Sequence, residues 1–131
     1  MANWKAPDNC KFAETDEWIR LEGAEAVIGI SDYAQEQLSD LVYVELPAVG
    51  QVLSVGEEFG VVESVKASAP LKMPVAGEVI AVNGALDGNE QVINTDPYEA
   101  GWIIRIKPTN ADDLGSLMDA EAYRAYSESR A

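Results

Sequence analysis

A shift of 27 positions lays the chain on itself: Leu46-Pro47 falls on Met73-Pro74, Gly50 on Gly77, Gln51-Val52-Leu53 on Glu78-Val79-Ile80, and Val55 on Val82. One order of residues, an apolar-Pro pair, a glycine and a short β-rich run, thus occurs twice. Self-similarity at a fixed period constrains a fold more than any single motif does. Two like units predict a quasi-symmetric β-sandwich. The runs Phe59 to Val65 and Val75 to Val82 are rich in Val and Ile and bounded by Gly and Pro, so they read as strands joined by a polar connection. Lys66 falls between them, which displays this lysine at a hairpin tip, on the turn between the two halves. That turn is the candidate site.

At 131 residues, 47% of them apolar, the chain suits one domain spanning residues 1–131 and can bury a core without staples. Its 23 acidic and 9 basic residues give a formal charge of −14, which repels nucleic acid and anionic membrane surfaces and favours partners with basic patches. The single cysteine, Cys10, cannot form an internal disulfide. With no histidine there is no Cys/His zinc set and no His-dependent triad, so a protein-borne nucleophilic mechanism is not expected. The amino-terminal residues lack the apolar core of a signal peptide, and no apolar stretch approaches the ~20 residues of a spanning helix. A cytoplasmic location is the expectation.

Residues 1 to 11, polar and punctuated by Pro7, read as a flexible arm. Phe12 to Glu22 is strand-like, and Ala26 to Ile30 is a short strand ending at Ser31. Ser31 or Asp32 can cap a helix through about Ser39, with Tyr33, Ala34 and Leu38 on its packed face. Leu41 to Leu46 and Gln51 to Val55 read as strands separated by Pro47 and Gly50. The glycines Gly60 and Gly77 let the backbone turn or approach closely. Asn83 to Glu90 is rich in turn residues and reads as a surface loop. Trp102 to Ile106 closes the sheet, Thr109 or Asn110 caps a helix over Ala111 to Leu117, and a last helix runs from Ala120 to about Tyr126.

Several of these stretches together resemble a known family. Glu63-Ser64-Val65-Lys66-Ala67, followed by Pro74-Val75-Ala76-Gly77-Glu78-Val79, is similar to the attachment segment of lipoyl carrier domains. Gly29 to Gln35, Val42 to Gly50 and Asp96 to Trp102 resemble the H-protein of the glycine cleavage system, and the likeness covers roughly residues 12 to 126. It implies a mainly β fold with short helices: a lipoyl/biotinyl-type barrel-sandwich hybrid of two quasi-symmetric halves, with one helix toward the amino terminus and others at the carboxyl end. It also implies lipoate in amide linkage to Lys66, with Glu63, Ser64, Val65 and Ala67 as the hairpin flanks. Glu63 helps a lipoate-attaching enzyme recognise the hairpin, or is a solvated strand acid.

Under this resemblance the chain is a carrier and not an enzyme. It passes an aminomethyl group from glycine decarboxylase to an aminomethyltransferase and is then reoxidised by dihydrolipoyl dehydrogenase, and a groove on its own surface shelters the loaded arm from water. Lys72 is a competing attachment residue, because Leu71-Lys72-Met73 partly resembles the Met-Lys-Met of biotinyl domains. Lys66 stands eleven positions before Gly77 and Lys72 only five, and the family spacing favours Lys66.

The chain departs from the usual H-protein pattern at Asp16, where a His is usual, at Ala69 to Met73, and in the glycine-rich segment after Val82. An H-like lipoate-binding protein that carries sulfur intermediates to a heterodisulfide-reductase-like complex is therefore an alternative. So is a lipoyl relay or an unmodified binding module.

Overall fold

The computed structural model describes residues 4–130. Its strands, in chain order, are β1 (Lys11–Phe12), β2 (Glu17–Glu22), β3 (Glu25–Ile30), β4 (Leu41–Glu45), β5 (Val52–Leu53), β6 (Glu58–Ser64), β7 (Ser68–Lys72), β8 (Gly77–Val82) and β9 (Ile104–Pro108). The α-helices are α1 (Asp32–Leu38), α2 (Val92–Thr95) and α3 (Ala120–Arg130), with short 3-10 turns at Gly84–Leu86 and Ala111–Ser116. The strands form a six-stranded sheet in the order β1-β2-β3-β9-β8-β5 and a three-stranded sheet in the order β4-β6-β7. This is the mainly β barrel-sandwich expected from the sequence.

The internal echo has a direct structural meaning. The same 27-residue shift carries β4, Leu41–Glu45, onto β7, Ser68–Lys72, and these two strands flank β6 on either side. It also carries Val52-Leu53 of β5 onto Val79-Ile80 of β8. Those echoed strands pair with each other, Val52 opposite Glu78 and Leu53 opposite Gly77, and Gly50 N–H donates to the Val79 carbonyl at 2.7 Å. Each half thus supplies a strand to both sheets.

Ile19, Ile28, Phe59, Val62, Leu71, Val79, Ile104 and Ile106 fill the space between the sheets, nearly dry. Side chains alternate across a strand, so the neighbours Trp18 and Val27 point to the other face of the large sheet. That face is covered too, by α3 and the amino-terminal residues, which build a second cluster around Phe12, Trp18, Tyr98 and Tyr123. Phe12 stacks on Tyr123 with ring centres 4.4 Å apart, and the Trp18 indole N–H donates to the Pro97 carbonyl at 3.0 Å.

The expected flexible arm over residues 1–11 is corrected by this packing for residues 4–11; residues 1–3 lie outside the described residues. Ala6 and Cys10 are buried and Lys11 is already in a strand. Lys5 N–H donates to the Asp32 carboxylate, the Tyr98 hydroxyl to the Lys5 carbonyl, and Arg124 to the Ala6 carbonyl. A polar, Pro-containing stretch carries no local signal of such docking, because its partners lie 27 to 118 residues away.

Helix boundaries follow local chemistry. The Ser31 hydroxyl accepts from Ala34 N–H at the start of α1, and the Asp119 carboxylate accepts from Ala122 N–H at the start of α3. Asn110 caps the turn that begins at Ala111. Two expectations change. The segment after Val82 is not a plain surface loop, since Leu86 is fully buried and Asn83 donates to the Ala100 and Trp102 carbonyls. The last helix continues beyond Tyr126 to Arg130, because Arg130 finds partners on the body of the protein.

Candidate functional site: the lysine hairpin and the groove beside it

β6 and β7 form an antiparallel hairpin whose last pair is Glu63 opposite Ser68. The strand that returns from the lysine is therefore β7, Ser68–Lys72, and not Val75 to Val82, which crosses to the other sheet to pair with β5 and β9. Pro70 allows this because β7 is an edge strand, where a missing N–H is tolerated.

Val65, Lys66 and Ala67 close the hairpin. Ser64 organises them: its hydroxyl oxygen accepts from Lys66 N–H at 3.3 Å and Ala67 N–H at 3.1 Å and donates to the Ala67 carbonyl at 3.2 Å. Ser64 N–H also donates to the Ala67 carbonyl at 2.7 Å. Such local side-chain bonds fix a turn without glycine. Lys66 is exposed at the apex, and no described carboxylate pairs with its ammonium. Val65 and Ala67 are exposed beside it, and Glu63 is exposed with Tyr43 and Ser68 as its strand neighbours. Lys72 is half-buried at the end of β7, and its N–H donates to the Glu17 carboxylate at 3.1 Å. It is not displayed at a tip.

A second turn braces the first. Val65 N–H donates to the Asp40 carbonyl at 3.3 Å, which leans the lysine turn on the link between α1 and β4. Ser39 in that link has φ +68° and ψ −155°, a region that side chains other than glycine rarely adopt and that costs about 1–3 kcal/mol. The Asn94 amide holds it there, donating to the Ser39 carbonyl at 2.8 Å and to Gln35 at 3.0 Å while accepting from Leu41 N–H at 3.0 Å. Asn94 carried no sequence signal of this role, since its partners lie 53 to 59 residues away.

Below the tip, the hairpin walls a groove of about 170 Å³ with Thr15, Asp16 and Glu17 on one side, Ala34 and Leu38 of α1, and Val62, Ala69, Pro70 and Leu71 on the other. The Val62–Ala69 pair is one strand step, about 3.3 Å, below the Glu63–Ser68 pair that closes the ladder at the lysine turn. Glu17 is 1% exposed. Its carboxylate accepts from the Thr15 hydroxyl and from Lys72 N–H, and burial pushes its pKa up to about 7. Sequence reasoning missed Glu17, because an acid in a strand-like run reads as solvated unless its tertiary neighbours are known.

Asp16, the departure noted above, locks the floor of this groove to the carboxyl-terminal helix. It has φ +82°, accepts from the Tyr123 hydroxyl at 2.7 Å and pairs with Arg130 at 2.7 Å. Arg130 in turn lies over the Tyr126 and Tyr33 rings at 3.9 and 4.4 Å. Among the described residues no cluster of acids or cysteine could hold a metal ion. The site offers an acylatable amine and an adjoining groove.

A family model described as glycine cleavage H-protein matches residues 10–130. The chain is 53% identical to the glycine cleavage system H protein of Bacteroides fragilis over 119 residues, covering 91% of this chain and 94% of that one. It is also 53% identical to the protein of that name from a Psychrobacter species over 120 residues, 91% and 95% of the two chains. Among solved structures, a glycine cleavage system H protein from Mycobacterium marinum superposes with a TM-score of 0.83 at 36% identity, covering 91% of this chain and 96% of that one.

Proposed function

The chain belongs to the glycine cleavage H-protein family, and from that premise we propose that Lys66 is its lipoyl attachment residue and that the groove at Glu17 shelters the loaded arm. The protein is the lipoyl carrier of glycine cleavage, and relatives so named over nine-tenths of the chain favour this over the sulfur-oxidation alternative. The single observation that carries the assignment is the geometry of Lys66: an amine that no described carboxylate pairs with, at the apex of a braced hairpin, where an attaching enzyme can reach it from outside.

Attached lipoate supplies the sulfur chemistry that takes up an aminomethyl group and is later reoxidised. The chain's own residues do the rest. The Lys66 amine becomes an amide and loses its charge. Ser64 and the Asp40 carbonyl hold the turn so that the arm swings from a fixed pivot. Val62, Ala69 and Leu71 give the groove an apolar wall that excludes water. Glu17, titrating near neutrality, can hold or release a proton there.

The chain's role is to present and protect, without catalysing. Its clients are the decarboxylase, the aminomethyltransferase and dihydrolipoyl dehydrogenase, with lipoate-attaching enzymes acting first, in the cytoplasm. Tethering raises the local concentration of the arm at each client. No described helix is long and apolar enough to cross a membrane.

The test is to produce the chain with lipoate-attaching enzymes, confirm one modification at Lys66 by intact mass and peptide mapping, and measure glycine–bicarbonate exchange with a glycine decarboxylase. Exchange that is lost in Lys66→Ala supports the reading. Failure to modify Lys66, or modification elsewhere, overturns it.

A further inference from the structure

β4 is an edge strand, hydrogen-bonded to β6 on one side only. Edges of this kind are usually blunted with charge, and strand side chains ordinarily alternate between core and solvent. β4 does neither. A β-bulge between Leu41 and Tyr43, opposite Ser64 and Glu63, turns two successive apolar side chains outward, leaving Val42 50% and Tyr43 48% exposed. Val65, at the lysine turn itself, is 74% exposed and is tied by its N–H to Asp40, directly ahead of β4.

Scattered exposed apolar side chains need no explanation. Val65 adjoins Lys66 in the chain and is bonded to Asp40, two residues before Val42, while Tyr43 pairs with Glu63 on the same hairpin, and a bulge is spent on presenting Val42 and Tyr43 together. We propose that Val42, Tyr43 and Val65 form the strip on which client enzymes dock, and that the complementary surface is an apolar recess rimmed by Lys and Arg. The proposal rests on the carrier reading of Lys66 and adds the contact surface to it.

Charge identifies the partner's rim. Asp40, Glu45 and Glu63 are exposed around the strip, and neither β4 nor β6 contains a Lys or Arg. Along the open edge of β4 run two depressions of about 320 and 400 Å³, with Glu90 in the first and Glu45 and Asp87 in the second. Acylation of Lys66 removes the cation at the apex. The loaded carrier therefore shows a client an apolar strip in a field of one sign, which favours a basic rim and speeds its approach.

The experiment uses the full chain, lipoylated at Lys66, as the varied substrate in glycine–bicarbonate exchange and in reoxidation by dihydrolipoyl dehydrogenase. Val42→Thr with Tyr43→Thr places β-branched, strand-compatible side chains at both positions while removing apolar surface. The expected result is a KM for the carrier raised about 10-fold with kcat maintained, in at least one client, at unchanged melting temperature and lipoyl stoichiometry. Val52→Thr, at a side chain even more exposed in β5 of the other sheet, leaves KM unchanged.

Asp40→Asn with Glu63→Gln, a pair that does not touch the core, flattens the rise of KM with added salt. An unchanged KM in the folded, lipoylated Val42/Tyr43 variant, or an unchanged salt dependence in the charge variant, overturns the strip. A wild-type chain that is not lipoylated, or that serves neither client, defeats the carrier reading instead.

Discussion

The Asn94 side chain holds Ser39 in a left-handed conformation, donating to its carbonyl at 2.8 Å, and the next residue, Asp40, offers the carbonyl on which the lysine turn leans. The lysine turn is thus braced from α2, an element of four residues far from the hairpin in sequence. Asn94→Ala leaves the Ser39 carbonyl and Leu41 N–H without their partner and costs about 1–2 kcal/mol of stability. Amide exchange at Val65 speeds up in this variant by more than global destabilisation accounts for. Exchange read by NMR in both proteins at matched stability checks it; equal protection at Val65 contradicts the brace.

Ser64→Ala removes three of the contacts that shape the lysine turn but leaves the β6–β7 ladder intact. Global stability falls by no more than about 1 kcal/mol. The effect appears in recognition: a lipoate-attaching enzyme modifies the variant several-fold more slowly, with the loss in kcat/KM. Ser64→Thr, which keeps the hydroxyl, restores the rate.

Glu17 makes stability depend on pH with a definite sign. Its carboxyl ordinarily titrates at 4.5, and burial raises this to about 7 in the folded chain. Between these values the folded state holds a proton that the unfolded state has lost, so this contribution to stability is full below about pH 4.5 and declines as pH rises to about 7. The span is at most about 3 kcal/mol. Glu17→Gln, which keeps an acceptor for Lys72 N–H, removes that slope. Urea unfolding of both proteins at pH 5 and pH 8 measures it, and equal slopes contradict the assignment.

Gly60 and Gly77 are both required by close approach. A Cβ at Gly60 would press on the Glu45 carbonyl oxygen, and one at Gly77 would stand 2.8 Å from the Lys107 carbonyl oxygen. Both obstacles are backbone and cannot swing aside. Gly60→Ala and Gly77→Ala each cost about 2–3 kcal/mol. Gly84→Ala meets nothing within 4 Å and changes stability by less than about 0.5 kcal/mol. Chemical denaturation of the three variants decides it.

What the sequence made legible was whatever repeats or is spelled out locally. The shift that laid Leu46-Pro47 on Met73-Pro74 laid whole strands on one another, and the cap at Ser31 announced α1. Lys66 stood out because turn chemistry and strand propensity both converge on it. The partner of β6 was misread, since Ser68-Ala69-Pro70-Leu71-Lys72 has a proline and weak strand propensity and is held as a strand by pairing alone. Glu17, Asp16 and Asn94 matter through neighbours dozens of residues away, and no local pattern encodes those meetings.

The pairing of β5 with β8 bears on how the molecule comes to exist at all. Because each echoed half lends a strand to both sheets, neither half encloses a core by itself, and a ribosome-bound chain that ends before β9 has the strands of the small sheet but lacks the one that joins β3 to β8 in the large sheet. Folding is a single late event dominated by contacts between distant segments, of the slow, all-or-none kind that non-local topology imposes. Fragments cut between Val55 and Gly77 do not make two smaller domains. The lysine turn, though built from four consecutive residues, is a property of the finished chain.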